Sequence, residues 1–123
     1  DFIATESGDD LIVSFAIAGH CPGHVISLTL LRTPKYEFIL DPSERGVNIS
    51  REDILESGDD MLESIRWEGA IVRITTTDGR RYELDVRRVE SEEAREAKGI
   101  LGTMNADHSF RMEIIQQEAG RAR

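Results

Sequence analysis

Residues 64–87, SIRWEGAIVRITTTDGRRYELDVR, decide the fold class of this chain. Apolar and polar residues alternate along three short segments of this stretch, and two glycine-containing breaks separate the segments. A period of two is typical of β-strands that have one buried face and one solvated face. The stretch therefore predicts a three-stranded antiparallel meander.

The register of the meander follows from the rule that residues paired across a hairpin share a face. A two-residue loop, Glu68-Gly69, satisfies this rule at the first turn, whereas the second turn needs the three-residue loop Thr77-Asp78-Gly79. In the longer loop, Gly79 takes the left-handed conformation of a bulged turn. The expected pairs are Trp67 with Ala70, Ile65 with Val72, Ile74 with Tyr82, Val72 with Leu84, Ala70 with Val86, and Arg73 with Glu83.

An internal repeat extends this pattern to the first half of the chain. The pentad Glu6-Ser7-Gly8-Asp9-Asp10 recurs at residues 56–60, and removal of the insertion His20-Cys21-Pro22-Gly23 aligns Tyr36 with Tyr82. A repeat that keeps its apolar phase indicates an internal duplication, with convergent hairpin sequence as the alternative. The predicted organisation is a single domain, 1–123, with repeat one at 6–41, a linker with a short helix at 42–58, repeat two at 56–89 and a helical or strand tail at 90–123.

The predicted fold is mainly β, at the margin of α+β. Two three-stranded antiparallel meanders are expected to form a small sandwich or partly open barrel, with one or two short helices. The first repeat is apolar on both faces, which predicts a helix or a second subunit over its other side. The expected core residues are Phe15, Leu28, Leu30, Phe38, Ile65, Val72, Ile74, Tyr82 and Leu84.

Two helices and a final strand are predicted outside the meanders. Ser50 followed by Asp53 resembles a capping box and predicts a short helix from Arg51 to Glu56. An N-cap at Ser91 and a glycine stop at Gly99 predict a second helix. Residues 110–115 fit a strand or a helix, and we favour a strand, with frayed chain from residue 116 onward.

Charge and composition limit the kinds of molecule that the protein can bind and the compartment in which we expect it. The chain has 24 acidic and 15 basic residues, a net charge of −9, which repels nucleic acid and anionic membranes. Arg81 and Arg87 share the outward face of the meander with Glu83 and Asp85, which indicates a solvated sheet face. A single cysteine, and no apolar run of the ~20 residues that span a bilayer, favour a cytoplasmic location.

The inserted loop is a candidate metal site. His20, Cys21 and His24 lie within five residues and offer ligands to zinc or another transition metal, with His108 or an acidic loop as a further ligand. The alternatives are a plain strand-connecting loop and a cysteine nucleophile with a histidine base. The twin Glu-Ser-Gly-Asp-Asp loops could hold calcium, but they lack EF-hand spacing and turn chemistry explains their composition.

Residues 41–46, Asp-Pro-Ser-Glu-Arg-Gly, read D-x-S-x-x-G. This pattern resembles half of the signature of PilZ-type cyclic-dinucleotide receptors, with matches at Asp41, Ser43 and Gly46. The resemblance implies a dinucleotide site on a β-rich domain. The other half, an upstream R-x-x-x-R that holds phosphates, is missing because Arg32 is the only arginine before Arg45. A tight turn is the alternative interpretation.

The function expected from these features is a non-catalytic binding or protein-interaction module of unknown ligand. It would contact a protein partner, or a second copy of the chain in a homodimer. The contact surface would be a sheet edge or the extra apolar face of the first repeat. The alternatives are a metal-binding protein and a small-molecule enzyme or cyclic-dinucleotide receptor. The sequence has no glycine-rich phosphate loop, no G-x-S-x-G and no His-Glu-x-x-His, so it identifies no catalytic residue and no organic cofactor.

The metal hypothesis has a direct test. If His20, Cys21 and His24 hold a metal, protein purified without a histidine tag contains zinc or another transition metal, and a chelator lowers its melting temperature. Elemental analysis and thermal unfolding measure the two effects. Metal-free protein whose stability is unchanged by the chelator would rule the site out.

Overall fold

The computed structural model describes residues 1–18, 25–51 and 60–115 of the 123-residue chain. These residues form eight β-strands, one α-helix and two short 3-10 segments. The strands are β1 (Phe2–Ser7), β2 (Leu11–Ala18), β3 (Val25–Arg32), β4 (Asn48–Arg51), β5 (Asp60–Glu68), β6 (Ile71–Thr76), β7 (Arg81–Asp85) and β8 (Arg111–Ile115). The helix is α1 (Ser91–Met104), and the 3-10 segments are Pro34–Ile39 and Pro42–Glu44.

All eight strands belong to one sheet that does not close. Spatial order follows the sequence from β1 to β7, every neighbour being antiparallel, and β8 pairs in parallel with β5. The sheet curves so that β2 faces β5 across the core, where the rings of Phe15 and Trp67 have centroids 6.2 Å apart. The predicted mainly β class is confirmed.

The hairpin of β6 and β7 has the predicted register. Ile74 pairs with Tyr82 and Val72 with Leu84, around a three-residue loop in which Gly79 has a φ of +88°. On the outer face, the guanidinium of Arg73 donates from Nε to Glu83 at 3.0 Å. Sequence alternation and turn length together were sufficient to place this hairpin.

The register predicted for β5 and β6 was wrong by two residues. Trp67 pairs with Val72, and the two-residue loop is Gly69-Ala70 rather than Glu68-Gly69. Gly69 has a φ of +59°, which is the positive value that a type II′ turn needs at its first loop position. A slip of two residues keeps every side chain on its own face, so the face rule cannot distinguish the two registers.

The structure does not confirm the internal duplication. Tyr36 lies in a 3-10 segment and is exposed, whereas Tyr82 lies in β7 and is half-buried. The expectation that these two tyrosines occupy equivalent positions was therefore wrong. The physical reason is Pro34, which cannot donate to a strand ladder and starts a tight turn directly after β3. The third strand of the first meander is β1, which the sequence pattern had not indicated.

The core is assembled from both halves of the sheet. Seven of the nine expected core residues are buried; Tyr82 is half-buried, and Phe38 is 76% exposed and was wrongly placed in the core. Further side chains that fill the interior come from β1, β2, β4, α1 and the connections: Ile3, Val13, Ile17, Ile49, Val47, Leu101, Met104 and Phe110.

Helix α1 is longer than predicted. It continues five residues beyond Gly99 to Met104, and its N-cap is Glu90 rather than Ser91. Ala97, Leu101 and Met104, spaced along one face, are buried. Burial of this face outweighs the roughly 1 kcal/mol by which each interior glycine disfavours a helix.

Helix α1 also covers one edge of the sheet. It packs against β1 and β2, and the carboxylate of Glu93 accepts a hydrogen bond of 3.0 Å from the backbone N–H of Ile3. This contact satisfies a donor that an edge strand would otherwise leave free. The buried side chains of α1 join the same core as the alternate residues of β2, so the expected cover over a second face of the first repeat is not confirmed. Among the described residues, no helix is long and apolar enough to cross a membrane.

The other predicted elements have mixed outcomes. The final strand is confirmed as β8. Arg51 belongs to β4 and not to the predicted helix from Arg51 to Glu56. The remainder of that helix, and the chain from residue 116 onward, lie outside the described residues.

Two glycines should respond in opposite directions to substitution by alanine. Gly46 has a φ of +153°, and a Cβ there would lie 2.8 Å from Cε of Met61, so Gly46→Ala should destabilise the protein by about 1–3 kcal/mol. Gly99 lies in α1 with open space around it, so Gly99→Ala should stabilise by about 0.4–1 kcal/mol. Urea unfolding followed by the fluorescence of the single tryptophan, Trp67, measures both. Equal effects from the two substitutions would contradict this account.

Candidate functional site

Four large apolar side chains lie on the surface within residues 36–40, shortly after β3, and only Glu37 interrupts them. Tyr36 is 55% exposed, Phe38 76%, Ile39 70% and Leu40 38%. We call these four residues the apolar ridge. An exposed apolar patch on a folded domain commonly marks an interaction surface.

The apolar ridge is held in place by Arg32, the last residue of β3. Its guanidinium forms a bidentate pair with Glu37, with Nε to Oε2 at 2.7 Å and Nη2 to Oε1 at 2.8 Å. The Arg32 side chain is only 6% exposed and that of Glu37 14%. Because Glu37 lies in the middle of the ridge segment, this pair fixes the segment to the sheet.

The opposite side of Arg32 is bonded to the end of α1 and the chain that follows. Asp107 accepts a second bidentate pair at 2.9 and 2.7 Å, and Nη1 also donates to the hydroxyl of Ser109 at 2.7 Å and to the carbonyl of Met104. All five N–H groups of the guanidinium therefore have acceptors. One buried side chain joins β3, the ridge segment, the C-terminus of α1 and the entry to β8.

These bonds change the proton affinities of the groups involved. The hydrogen bond from Arg32, followed by those from Ser109, holds the pKa of Asp107 well below the ordinary carboxyl value. The hydrogen bonds to Asp107 and Glu37 in turn raise the pKa of Arg32. The cluster is therefore a charged structural anchor at neutral pH and is not arranged as a proton donor or acceptor for chemistry.

A small hollow lies beside the apolar ridge. It has a volume of about 180 Å³ and is lined by the ridge residues Tyr36, Ile39 and Leu40 together with Leu31, Thr33, Glu37, Glu44, Gly46 and Asn48. A cavity of ~150 Å³ can hold a benzene ring, so the hollow has room for one side chain of a partner. The exposed carboxylates of Asp41 and Glu44 lie next to the ridge in the sequence, and Glu44 reaches the hollow itself.

The predicted metal site in the inserted loop stays a prediction. His20, Cys21 and His24 lie outside the described residues. His108 lies in the connection between α1 and β8, where it is exposed and has a φ of +57°. Within residues 1–18, 25–51 and 60–115, no group of three or more histidine, cysteine or acidic side chains is arranged to hold a metal ion.

Of the twin acidic loops, the first is described in full and the second only at Asp60. In the first loop, Asp9 pairs with Lys35 at 3.2 Å and Asp10 accepts from the hydroxyl of Thr33 at 2.7 Å. In the second, Oδ1 of Asp60 accepts from its neighbour's backbone N–H at 2.9 Å, and residues 56–59 lie outside the described part. The first loop joins β1 to β2, in agreement with its interpretation as a turn, whereas the second stays a prediction because Asp60, its one described residue, begins β5.

The D-x-S-x-x-G pattern forms a tight connection between the ridge and β4. Asp41 and Ser43 are exposed, and Gly46 is buried with the positive φ that glycine tolerates. Arg45 donates from Nη2 to the carbonyl of Leu40 at 3.0 Å. The upstream arginine, Arg32, has no free donor for a phosphate.

Sequence reasoning missed the role of Arg32 and the exposure of the ridge. The one available signal was an arginine at the end of an apolar strand, followed five residues later by Glu37 within an apolar run. The remaining partners of Arg32 lie 72 to 77 residues away in the chain, and no sequence period connects them.

Comparison with known proteins adds no assignment. No family model matches the chain, and neither a curated protein nor a solved structure matches it. The class that the fold and the ridge define is a mainly β domain that presents a fixed apolar surface.

Loss of the Arg32 guanidinium should strongly destabilise the protein. Arg32→Met leaves two carboxylates facing each other without a cation, and we expect a loss of about 3–5 kcal/mol in the free energy of unfolding. Arg45→Met removes an arginine that donates only to one exposed carbonyl, and it should cost less than about 1 kcal/mol. Urea unfolding of the two variants provides the comparison. Similar losses would show that Arg32 is not the anchor.

The Asp107 pair should make stability depend on acid pH. Because the folded pKa of Asp107 is depressed, its contribution is complete above the unfolded pKa of about 4 and is lost as pH falls below that value. The stability difference between wild type and Asp107→Asn should be on the order of 1 kcal/mol at pH 7, since half of the Asp107 side chain is exposed, and should shrink below about pH 4. In the Arg32→Lys background, which loses the bidentate geometry, the difference should be smaller. A difference that is constant with pH would contradict the pairing.

Proposed function

We propose that this protein is a non-catalytic interaction module that binds a short apolar and basic segment of a partner protein through the apolar ridge. The observation that carries this proposal is that four large apolar side chains are exposed on a segment that is fixed to the domain. A cytoplasmic location, to which a single cysteine is suited, belongs to the same proposal.

The exposure of the ridge is a property of the ordered domain. Arg32 binds the centre of the segment, Lys35 pairs with Asp9 at its start, and Arg45 donates to the carbonyl of Leu40 at its end. A segment held at three points cannot turn Phe38 and its neighbours inward without breaking these contacts. A surface that is already ordered binds a partner without the entropic cost of ordering itself.

The surroundings of the ridge indicate the chemistry of the partner. The hollow accepts one apolar side chain, and the carboxylates of Asp41 and Glu44 would attract a basic residue beside it. The net charge of −9 strengthens the preference for a basic segment. A peptide with an aromatic or large aliphatic anchor and flanking lysine or arginine fits both features.

A homodimer through the ridge is the second candidate, and two observations disfavour it. Four side chains offer only several hundred Å² of contact, less than the roughly 800 Å² that each partner buries in a stable interface. Two copies would also bring together chains that each carry a net charge of −9. The metal-binding alternative at His20, Cys21 and His24 remains a separate proposal, decided by the metal analysis described above.

The proposal predicts selective peptide binding. On an array of short peptides with one central phenylalanine, tryptophan or leucine, those flanked by lysine or arginine should bind the wild-type protein, and those flanked by glutamate should not. Phe38→Ser should weaken binding by about tenfold or more, because hot-spot side chains each contribute about 2 kcal/mol. Fluorescence anisotropy on the strongest peptides measures the loss.

Phe2→Ser provides the matched control. Phe2 is also an exposed phenylalanine, at 53%, but it lies at the end of β1 that is farther from the ridge. This variant should bind peptide as the wild type does. Equal loss in both variants, or binding that ignores the flanking charge, would refute the ridge as the binding surface. If sedimentation velocity shows that the wild type is a dimer and that Phe38→Ser is a monomer, the ridge is a homodimer interface instead.

A further inference from the structure

The outer face of the second half of the sheet gathers four arginines from four adjacent strands. In spatial order β8, β5, β6 and β7, the register places Arg111, Ser64, Thr75 and Arg81 side by side in one row. The next row on the same face is Glu113, Arg66, Arg73 and Glu83. The sequence pattern predicts a solvated face for Arg81, but it does not reveal that β5 and β8 add residues to this face.

The two rows differ in charge balance. In the second row Arg73 pairs with Glu83 at 3.0 Å, and both Arg73 and Arg66 lie near Glu68, at 3.2 and 3.5 Å. In the first row no acidic residue alternates with the arginines. Arg81 and Arg111 form no ion pair within the part of the chain that the structure describes.

The centre of the first row offers two hydroxyl groups. Ser64 and Thr75 are direct cross-strand partners, both half-buried, between the two unpaired arginines. A register shift in β5 between Leu62 and Ser64 marks a bulge at this point. Bulges change the direction of side chains and occur often beside binding sites.

A shallow depression lies over these groups. Two adjoining concave regions, of about 730 and 540 Å³, share Ser64, Arg73, Thr75 and Arg111 among their lining residues. The first extends towards Asn105 and His108 and includes Glu113, and the second includes Arg81 together with Glu63 and Glu83. Small-molecule sites typically occupy ~300–1,000 Å³, so the depression has room for a phosphate group and the molecule that carries it.

The geometry points to a binding site for the phosphate group of a small phosphorylated molecule, between Arg81 and Arg111 and over the hydroxyls of Ser64 and Thr75. Guanidinium groups match phosphate oxygens with paired donors, and hydroxyls add donors without adding charge.

The charge pattern favours a small ligand over a polyanion. Beyond the second row, the same face carries Glu68 and Asp85, and the whole chain has a net charge of −9. An extended nucleic acid would have to cross these carboxylates, whereas a single phosphate over the first row would not. This site is separate from the apolar ridge and does not depend on the proposed function.

Amide NMR titration with inorganic phosphate and with pyrophosphate tests the site. Signals of residues in the first row should shift saturably at millimolar concentration, and sodium chloride at the same ionic strength should not reproduce the shifts. The double variant Arg81→Ser/Arg111→Ser should bind pyrophosphate about tenfold more weakly or worse, because each charge-assisted hydrogen bond is worth at least that factor. Both arginines are exposed and make no ion pair with any residue that the structure describes, so the variant should fold as the wild type does.

Arg88→Ser is the matched control, since Arg88 is exposed but lines neither region of the depression. It should leave pyrophosphate affinity unchanged. The proposal is overturned if neither phosphate shifts the first row, if chloride has the same effect, or if Arg88→Ser weakens binding as much as the double variant. Binding of a polyglutamate peptide without binding of either phosphate would also overturn it, and would indicate a surface for acidic proteins.

Discussion

The buried guanidinium of Arg32 is the interaction on which the organisation of this domain depends. An arginine this deeply enclosed is tolerated only when every donor has a partner, and here two carboxylates, a hydroxyl and a helix carbonyl supply them. Most of these partners lie in segments that are far from Arg32 in the sequence. The same charge cluster therefore closes the corner between β3, the end of α1 and β8, and sets the position of the apolar ridge.

Two exposed surfaces of the domain differ in chemistry. The apolar ridge, with Asp41 and Glu44 beside it, is the surface that we propose for an apolar and basic segment, and the row that contains Arg81 and Arg111 is the one that we propose for a phosphate. Both lie on rigid elements, one tied to Arg32 and the other built on paired strands.

Part of the fold was predictable because strand alternation and turn length are local. The β6 and β7 hairpin, with its Arg73 and Glu83 pair, needed only neighbouring residues. The predicted register of β5 and β6 was wrong, because a slip of two residues leaves every side chain on its own face. The predicted equivalence of the two repeats was wrong from Pro34 onward, because a tight turn forms there in place of a strand. The helix end predicted at Gly99 was wrong because burial of Leu101 and Met104 extends the helix.

By itself, the sequence determined the mainly β class, most of the residues that face the core and the acidic character of the chain, because periodicity and composition carry that information. Only the tertiary structure decided that Phe38 is exposed, that Arg32 meets Asp107, and that arginines from β5, β6, β7 and β8 share one face. These outcomes depend on which strands become neighbours. Strands that are distant in the sequence, such as β5 and β8, become neighbours through the lowest total free energy of the packed sheet, and no local pattern encodes that pairing.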